Sequence, residues 1–210
     1  MLGVIYLIYD IEKFEPKANE AYLFDTNIWL YLYSPVTQYS YYIKEIFSEF
    51  MYKCVGVGAK IYVTSLIISE FYNTAMRIEY KTHQTDMYKK GFRNDQTLGD
   101  DLLGIIKYCI LSKAEKLSDN FEEFTGDDFE SSYDFNDYYI VQLCKSKGIK
   151  IVTNDSDFKY FSDDVDVITL DSNYVESVQA ERDFEASAKP DSRKVINVNK
   201  GTVRCMSIIK

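Results

Sequence analysis

Three acids stand where short apolar runs give way to polar, helix-starting ones. Asp25 follows Tyr22, Leu23 and Phe24, Asp155 closely follows the apolar run 149–153, and Glu70 comes shortly after the run 61–64. A fourth acid, Asp137, has Ile140, Val141 and Cys144 at +3, +4 and +7, so a helix there carries it on its apolar side. Buried unpaired charge is costly. Four carboxylates gathered at one sheet edge repel by on the order of several kcal/mol at low effective dielectric, unless a cation sits among them. Every candidate ligand offers oxygen, which selects hard cations such as Mg²⁺ or Mn²⁺ over zinc. The run Asp155, Ser156, Asp157 lacks the glycine and the distant bidentate Glu of a calcium-binding loop. A carboxylate-held divalent cation with open positions activates water and neutralises a phosphate, so phosphodiester hydrolysis suits these residues best.

Each acid also has a local explanation. Asp25 and Asn27 can cap the helix that follows them, Asp134 with Asp137 resembles an N-cap with an acid at the third helical position, and Asp155 with Asp157 can form an Asx turn. Thr26, Asn27, Asp134, Thr153, Asn154 and Asp157 are the candidates for orienting the carboxylates or cation-bound waters.

The elements that must position these acids alternate. An apolar strand at 21–24 leads to a helical stretch at 28–33, which stops at Ser34 because the residue before Pro35 is pushed out of the α region. Ile43, Ile46, Phe47, Phe50 and Met51 mark one face of a helix over 38–53. A strand at 60–64 feeds a helix over 65–81 with Ile67, Phe71, Ala75 and Ile78 on its stripe. The spacing of Leu102, Leu103, Ile106, Cys109 and Ile110 predicts a helix over 101–117. Residues 134–147 read as a helix stopped by Gly148, followed by strands at 149–153 and 165–170. This alternation predicts an α/β fold, a three-layer α/β/α sandwich around a mainly parallel sheet. Ligands of such sheets collect at the carboxyl ends of the strands.

The flanks read differently. Residues 1–20 form an N-terminal extension in which 4–9 suit an added edge strand, 21–172 form the main domain, and 173–210 form a polar tail in which 195–198 and 202–209 can pair as a small hairpin. The opening apolar residues have no basic start or small-residue cleavage site and reach Asp10 too soon to span a membrane.

Composition limits the classes. The chain has 210 residues, 46% hydrophobic and 27% charged, with 19 Tyr and 13 Phe, which excludes disorder and allows a self-sufficient core. Its 33 acids against 24 Lys and Arg give a net charge of -9, so a nucleic-acid partner must be read from a site rather than from overall charge. Four separated cysteines and a single histidine, His83, argue against zinc and for a reducing compartment, read as cytoplasmic. The most basic stretch, 77–93, holds Arg77, Lys81, Lys89, Lys90 and Arg93 against two acids and is the candidate for gripping a phosphate backbone. By contrast, 118–137 holds eight acids and no Lys or Arg, and reads as a solvated loop in its first half.

Four blocks resemble one family in order and spacing: Leu23, Phe24, Asp25, Thr26, Asn27; then 65–70; then Asn136 to Val141; then Val152, Thr153, Asn154, Asp155, Ser156, Asp157, Phe158. They look like the PIN-domain nucleases over about 21–170, and the last block is the most specific. In that family the three core acids match Asp25, Glu70 and Asp137, and Asp155 matches a fourth, more variable acid. The resemblance implies a parallel α/β/α sandwich, carboxylates holding Mg²⁺ or Mn²⁺, and hydrolysis of RNA by activated water. Many small members are toxins restrained by an antitoxin protein, and a homodimer is a further expectation. This chain differs from those toxins in its extension before Ala21, its longer middle between Glu70 and Asp137, and its tail beyond Ser172.

Two other readings start from the same acids. A degenerate module of this kind binds RNA or protein without cutting. A phosphatase of the haloacid-dehalogenase type looks for a second Asp two residues beyond Asp25, and position 27 is Asn.

Overall fold

The computed structural model describes residues 7–35, 39–82, 96–118, 126, 129–130, 133–161 and 163–170. Six strands form one parallel sheet, β1 (Ile8–Asp10), β2 (Ala21–Phe24), β3 (Lys60–Val63), β4 (Glu115–Lys116), β5 (Lys150–Val152) and β6 (Val167–Thr169), in the order β1-β6-β5-β2-β3-β4. The helices are α1 (Thr26–Tyr33), α2 (Tyr41–Val57), α3 (Ser65–Thr82), α4 (Gln96–Ile105) and α5 (Phe135–Lys147). The architecture is a three-layer α/β/α sandwich.

Strands β2, β5 and β6 lie inside the sheet because they have no polar face. Tyr22, Leu23, Phe24, Ile151, Val152, Val167 and Ile168 are all fully buried, as strands covered on both faces must be. From β2 the chain moves outward through β3 to β4, then returns to the other side of β2 to lay down β5 and β6. The direction of winding therefore reverses between β2 and β5. The crevice beyond the carboxyl ends of those two strands is where an open parallel sheet takes its ligand.

The N-terminal strand β1 lies at the sheet edge, in parallel register with β6, Ile8 opposite Val167 and Asp10 opposite Thr169. The side chain of Asp166 fixes that edge, accepting from the Leu7 amide at 2.8 Å and from Lys150 Nζ at 2.5 Å.

The predicted helix over 101–117 is corrected. α4 begins at Gln96 and gives way after Ile105 to a wider π turn, Ile106–Ile110, closed by the Leu111 amide on the Ile106 carbonyl at 2.9 Å. Leu102, Ile106 and Ile110 are the buried stripe, whereas Leu103 is exposed. The chain then turns so that Glu115–Lys116 pair with Tyr62 and Val63. Ladder hydrogen bonds at the open edge of β3 outcompete continuation of the helix.

Elsewhere the boundaries follow local chemistry. Gly58 and Gly148 end α2 and α5 at φ 74° and φ 64°, a left-handed conformation that glycine adopts without a Cβ penalty. Among the described residues no helix is long and apolar enough to cross a membrane. The tail hairpin expected at 195–209 lies outside the described residues.

Candidate active site

Asp25 sits at the reversal point. Its amide donates to the Val152 carbonyl at 3.0 Å, which continues the β2–β5 ladder by one rung, and its extended backbone (φ -68°, ψ 161°) then starts α1. Trp29, fully buried, donates its indole N–H to the Phe24 carbonyl at 3.0 Å and clamps α1 to the end of β2. The carboxylate is therefore held on a rigid corner. Its Oδ1 accepts from the Thr26 amide at 2.6 Å, and its Oδ2 accepts from Asn27 Nδ2 and Thr153 Oγ1, both at 2.7 Å.

Thr153, fully buried at the end of β5, is the hub of this network. While donating to Asp25 it accepts from Asn27 Nδ2 at 3.0 Å and from the Asp155 amide at 3.1 Å. Asn27 Oδ1 in turn accepts the Asn154 amide at 3.3 Å. Asp155 is exposed, and its Oδ1 accepts the Asp157 amide at 2.9 Å, the Asx turn expected from the spacing. Asp157 is itself exposed.

Glu70 approaches from the next strand. Thr64 at the end of β3 accepts the Ile67 amide on its Oγ1 at 3.1 Å, which starts α3, and the second turn of that helix carries Glu70. α3 packs along α1, so Thr26 Oγ1 donates to Glu70 Oε2 at 2.8 Å. Thr26 thus holds one acid through its amide and another through its hydroxyl.

Asp137 arrives on α5, whose N-cap is the exposed Asp134, bonded to the Asn136 amide at 2.8 Å. Asp137 is half-buried, and no described side chain or amide donates to it. Burial, followed by the charges of Asp25, Asp134, Asp155 and Glu70, pushes its carboxyl up to about 8. Burial also raises Asp25, to about 6, against the lowering effect of the Thr153 and Thr26 bonds, and Glu70 and Asp155 add to the rise. The four acids therefore feel one another.

No Lys or Arg among the described residues pairs with Asp25, Glu70, Asp137 or Asp155. An uncompensated, oxygen-only cluster matches the chemistry of a hard divalent cation. As placed, however, no three Asp, Glu, His or Cys side chains among the described residues are grouped so as to hold one metal ion. Donor type and charge fit such a cation; the spacing is not that of a closed cage.

Arg77 and Lys81 are exposed on the last turns of α3, about 10 and 16 Å along the axis from Glu70. Lys89, Lys90 and Arg93, with His83, lie outside the described residues. One neighbour escaped the sequence reading. Burial pushes the hydroxyl of Tyr31, on α1, above the ordinary tyrosine value, and the nearby charges of Asp25 and Asp155 add to the rise. Its only sequence signal is a position one turn beyond Asn27.

A comparison with curated proteins returns no match. Among solved structures, the crystal structure of PAE2754 from Pyrobaculum aerophilum is similar at 15% identity, covering 79% of this chain and 97% of that one, with a TM-score of 0.41. The PIN-domain family model matches residues 22–163, from the first residues of β2 past the end of the 3₁₀ turn Ser156–Phe161. That match takes in β2 to β5 and all four acids, and extends over more than half of the 210 residues, so the chain belongs to the PIN-domain family.

Proposed function

We propose that the protein is a metal-dependent ribonuclease that hydrolyses RNA phosphodiester bonds with Mg²⁺ or Mn²⁺. The observation that carries this reading is the gathering of Asp25, Glu70, Asp137 and Asp155 around the sheet's reversal point, with no cationic side chain among the described residues to neutralise them. These four acids would hold the cation through oxygen, with Asp155, the most exposed, tuning the site. When bound, the cation supplies acidity to water and charge neutralisation to the phosphate.

The chain's own residues do the rest. The Thr26 amide, Asn27 and Thr153 aim the lone pairs of Asp25, and the Thr26 hydroxyl ties Glu70 to the same corner. Asp137 holds a proton near neutral pH and must release it for its carboxylate to ligate. The biological setting that family membership suggests is a cytoplasmic toxin restrained by an antitoxin protein, with a homodimer as its form.

The test is cleavage of structured RNA, unstructured RNA and single-stranded DNA in Mg²⁺, Mn²⁺ or EDTA. Cutting of RNA that requires the cation is the expected result. That no three acidic, His or Cys side chains among the described residues are grouped to hold one metal ion favours a second reading, a catalytically inactive PIN-like module. RNA binding without cutting under any of these conditions would move the assignment there.

The basic stretch supplies a separate prediction. If Lys89, Lys90 and Arg93 grip phosphates, replacing all three by Gln lowers RNA affinity and makes the plot of log affinity against log salt shallower by about 2, at about 0.7 per single-strand contact. An unchanged slope removes this stretch from the interface.

A further inference from the structure

The first turn of α5 carries an aromatic surface that the core does not use. Phe135, the first residue of that helix, is 45% exposed, and Phe129 before it is 37% exposed. Both rings are nevertheless fixed. Phe135 lies parallel to Tyr139 one turn on, with centroids 6.5 Å apart, and meets Phe129 edge-on at 5.7 Å. Phe129 also packs edge-on against the buried Tyr138 at 5.2 Å. A second exposed ring stands on the 3₁₀ turn that follows Asp155. Phe158 and Phe161 sink into the core and anchor the turn, while Tyr160 between them is 58% exposed. Tyr133, just before α5, tilts against Tyr160 at 6.3 Å and Phe161 at 4.9 Å, and so joins the turn to the helix. Exposed aromatics scattered singly are ordinary, but rings held by other rings around one helix start form a prepared surface.

This surface borders the acidic site. Asp137 is two residues beyond Phe135, about 3 Å along the axis and on the opposite side of a helix about 10 Å across. Asp155 immediately precedes the turn that displays Tyr160. A strand whose phosphate sits at the acids therefore passes the rings with its adjoining nucleotides. Phosphate contacts do not suit this stretch. Asp134 and Asp157 lie exposed there beside Asp137 and Asp155, and Lys159 is the only Lys or Arg of the turn, its ammonium 4.9 Å from the Tyr160 ring centroid. A base carries no charge and presents a π face, so stacking is the contact that an acid-rich aromatic surface offers to RNA.

We propose that Phe135, backed by Phe129, and Tyr160 stack unpaired bases of the RNA strand beside the acidic site, and so favour single-stranded over duplex RNA. The choice of RNA as the ligand rests on the ribonuclease reading. In a duplex the base faces are already covered by neighbouring bases, and the rings have nothing to take.

Phe135→Leu keeps an apolar side chain and removes the π face, whereas Phe135→Trp enlarges it. A base–aromatic stack is worth about 5- to 150-fold in affinity. In the full chain, Phe135→Leu is expected to raise KM for an unstructured RNA about tenfold, with kcat, KM for a duplex RNA and thermal stability near wild type. Phe135→Trp should restore the wild-type KM. Tyr160→Leu, on a turn anchored by Phe158 and Phe161, repeats the KM test without touching α5. In the Asp137→Asn chain, which keeps the RNA uncut, 2-aminopurine placed at successive positions of a single-stranded RNA should be quenched on binding at one or two of them. Phe135→Leu and Tyr160→Leu should each relieve that quenching. Because stacking neutralises no phosphate, the slope of log affinity against log salt should not change.

Wild-type KM in both Leu variants, or equal losses on single-stranded and duplex RNA, would overturn the proposal. So would unchanged RNA kinetics together with a lower mass by light scattering, which would give the surface to a second copy of the chain. A wild type that cuts RNA while both rings are indifferent sinks the stacking surface alone. A wild type that neither binds nor cuts any RNA sinks the ribonuclease reading, and the surface with it.

Discussion

Asp137→Asn is expected to abolish cleavage and, in the same protein, to raise stability at pH 8. Outer partners of a ligating group already account for about 10- to 100-fold, so loss of a ligating carboxylate itself should cost at least about 100-fold in activity. Stability moves the other way because the native state carries this carboxyl at about 8, raised above its ordinary 3.8 by burial and by its acidic neighbours. Between those two values the folded chain binds more protons than the unfolded one. Stability from this group is therefore fully present below about pH 4, falls as pH rises, and the penalty is complete above about pH 8. Asn keeps the shape and does not titrate. Because Asp137 is only half-buried, the gain is discounted for solvent screening to about 1 to 2 kcal/mol at pH 8 in EDTA. That corresponds to roughly 2 to 8 °C in Tm for a chain of this size. The check is urea unfolding of both proteins at pH 5 and pH 8 with chelator present. A variant less stable than wild type at both pH values would mean that Asp137 supports the fold rather than burdening it.

The paired effects of Asp137 bear on what a sequence discloses. Tyr22, Leu23 and Phe24 were readable as a central strand because three consecutive bulky apolar residues have no solvent face to offer, and the structure buries all three completely. Asp25 was readable as both a helix cap and a strand-end acid, and the structure makes it both. The stretch after Leu102 was not readable in detail. Leu102, Ile106 and Ile110 recur every four residues, which suits a regular helix and a slightly widened one alike, and Glu115 with Lys116 shows no alternation that would betray a strand. There the deciding partner is the open edge of β3, which is distant in sequence.

Polar networks are legible in kind but not in wiring. Thr26, Asn27, Thr153 and Asn154 stood out as polar residues beside strand-end acids, while the pairing of Thr26 with Glu70 and of Thr153 with both Asp25 and the Asp155 amide depends on which strands become neighbours. Tyr31 was invisible for the opposite reason. Among 19 tyrosines, one on a helical stripe signals packing, and only the fold brings it within range of the Asp25 and Asp155 charges.

Proton competition should dominate the cation's behaviour. A carboxyl that holds its proton until about pH 8 must give it up to ligate, so apparent Mn²⁺ affinity is expected to fall about tenfold for each pH unit below 8. Below about 6 Asp25 also takes a proton, and the fall steepens towards about 100-fold per unit. These steps belong to the interacting cluster, so the titration reports two macroscopic transitions rather than one residue each. Calorimetric titration of Mn²⁺ at pH 5.5, 7 and 8.5, in buffers of different ionisation heat, counts the protons released. About two should leave at the lowest pH, one at neutral pH, and few at the highest. Cleavage should follow the same profile, rising to pH 8 and stopping on addition of EDTA. The Asp137→Asn chain serves as the internal check, since it should lose the dependence between pH 6 and 8 while keeping the lower step. An affinity that stays flat from pH 6 to 8 in wild type would show that the cation enters without displacing a proton. Asp137 would then lie outside the ligand set, and Asp25, Glu70 and Asp155 would have to carry the site without it.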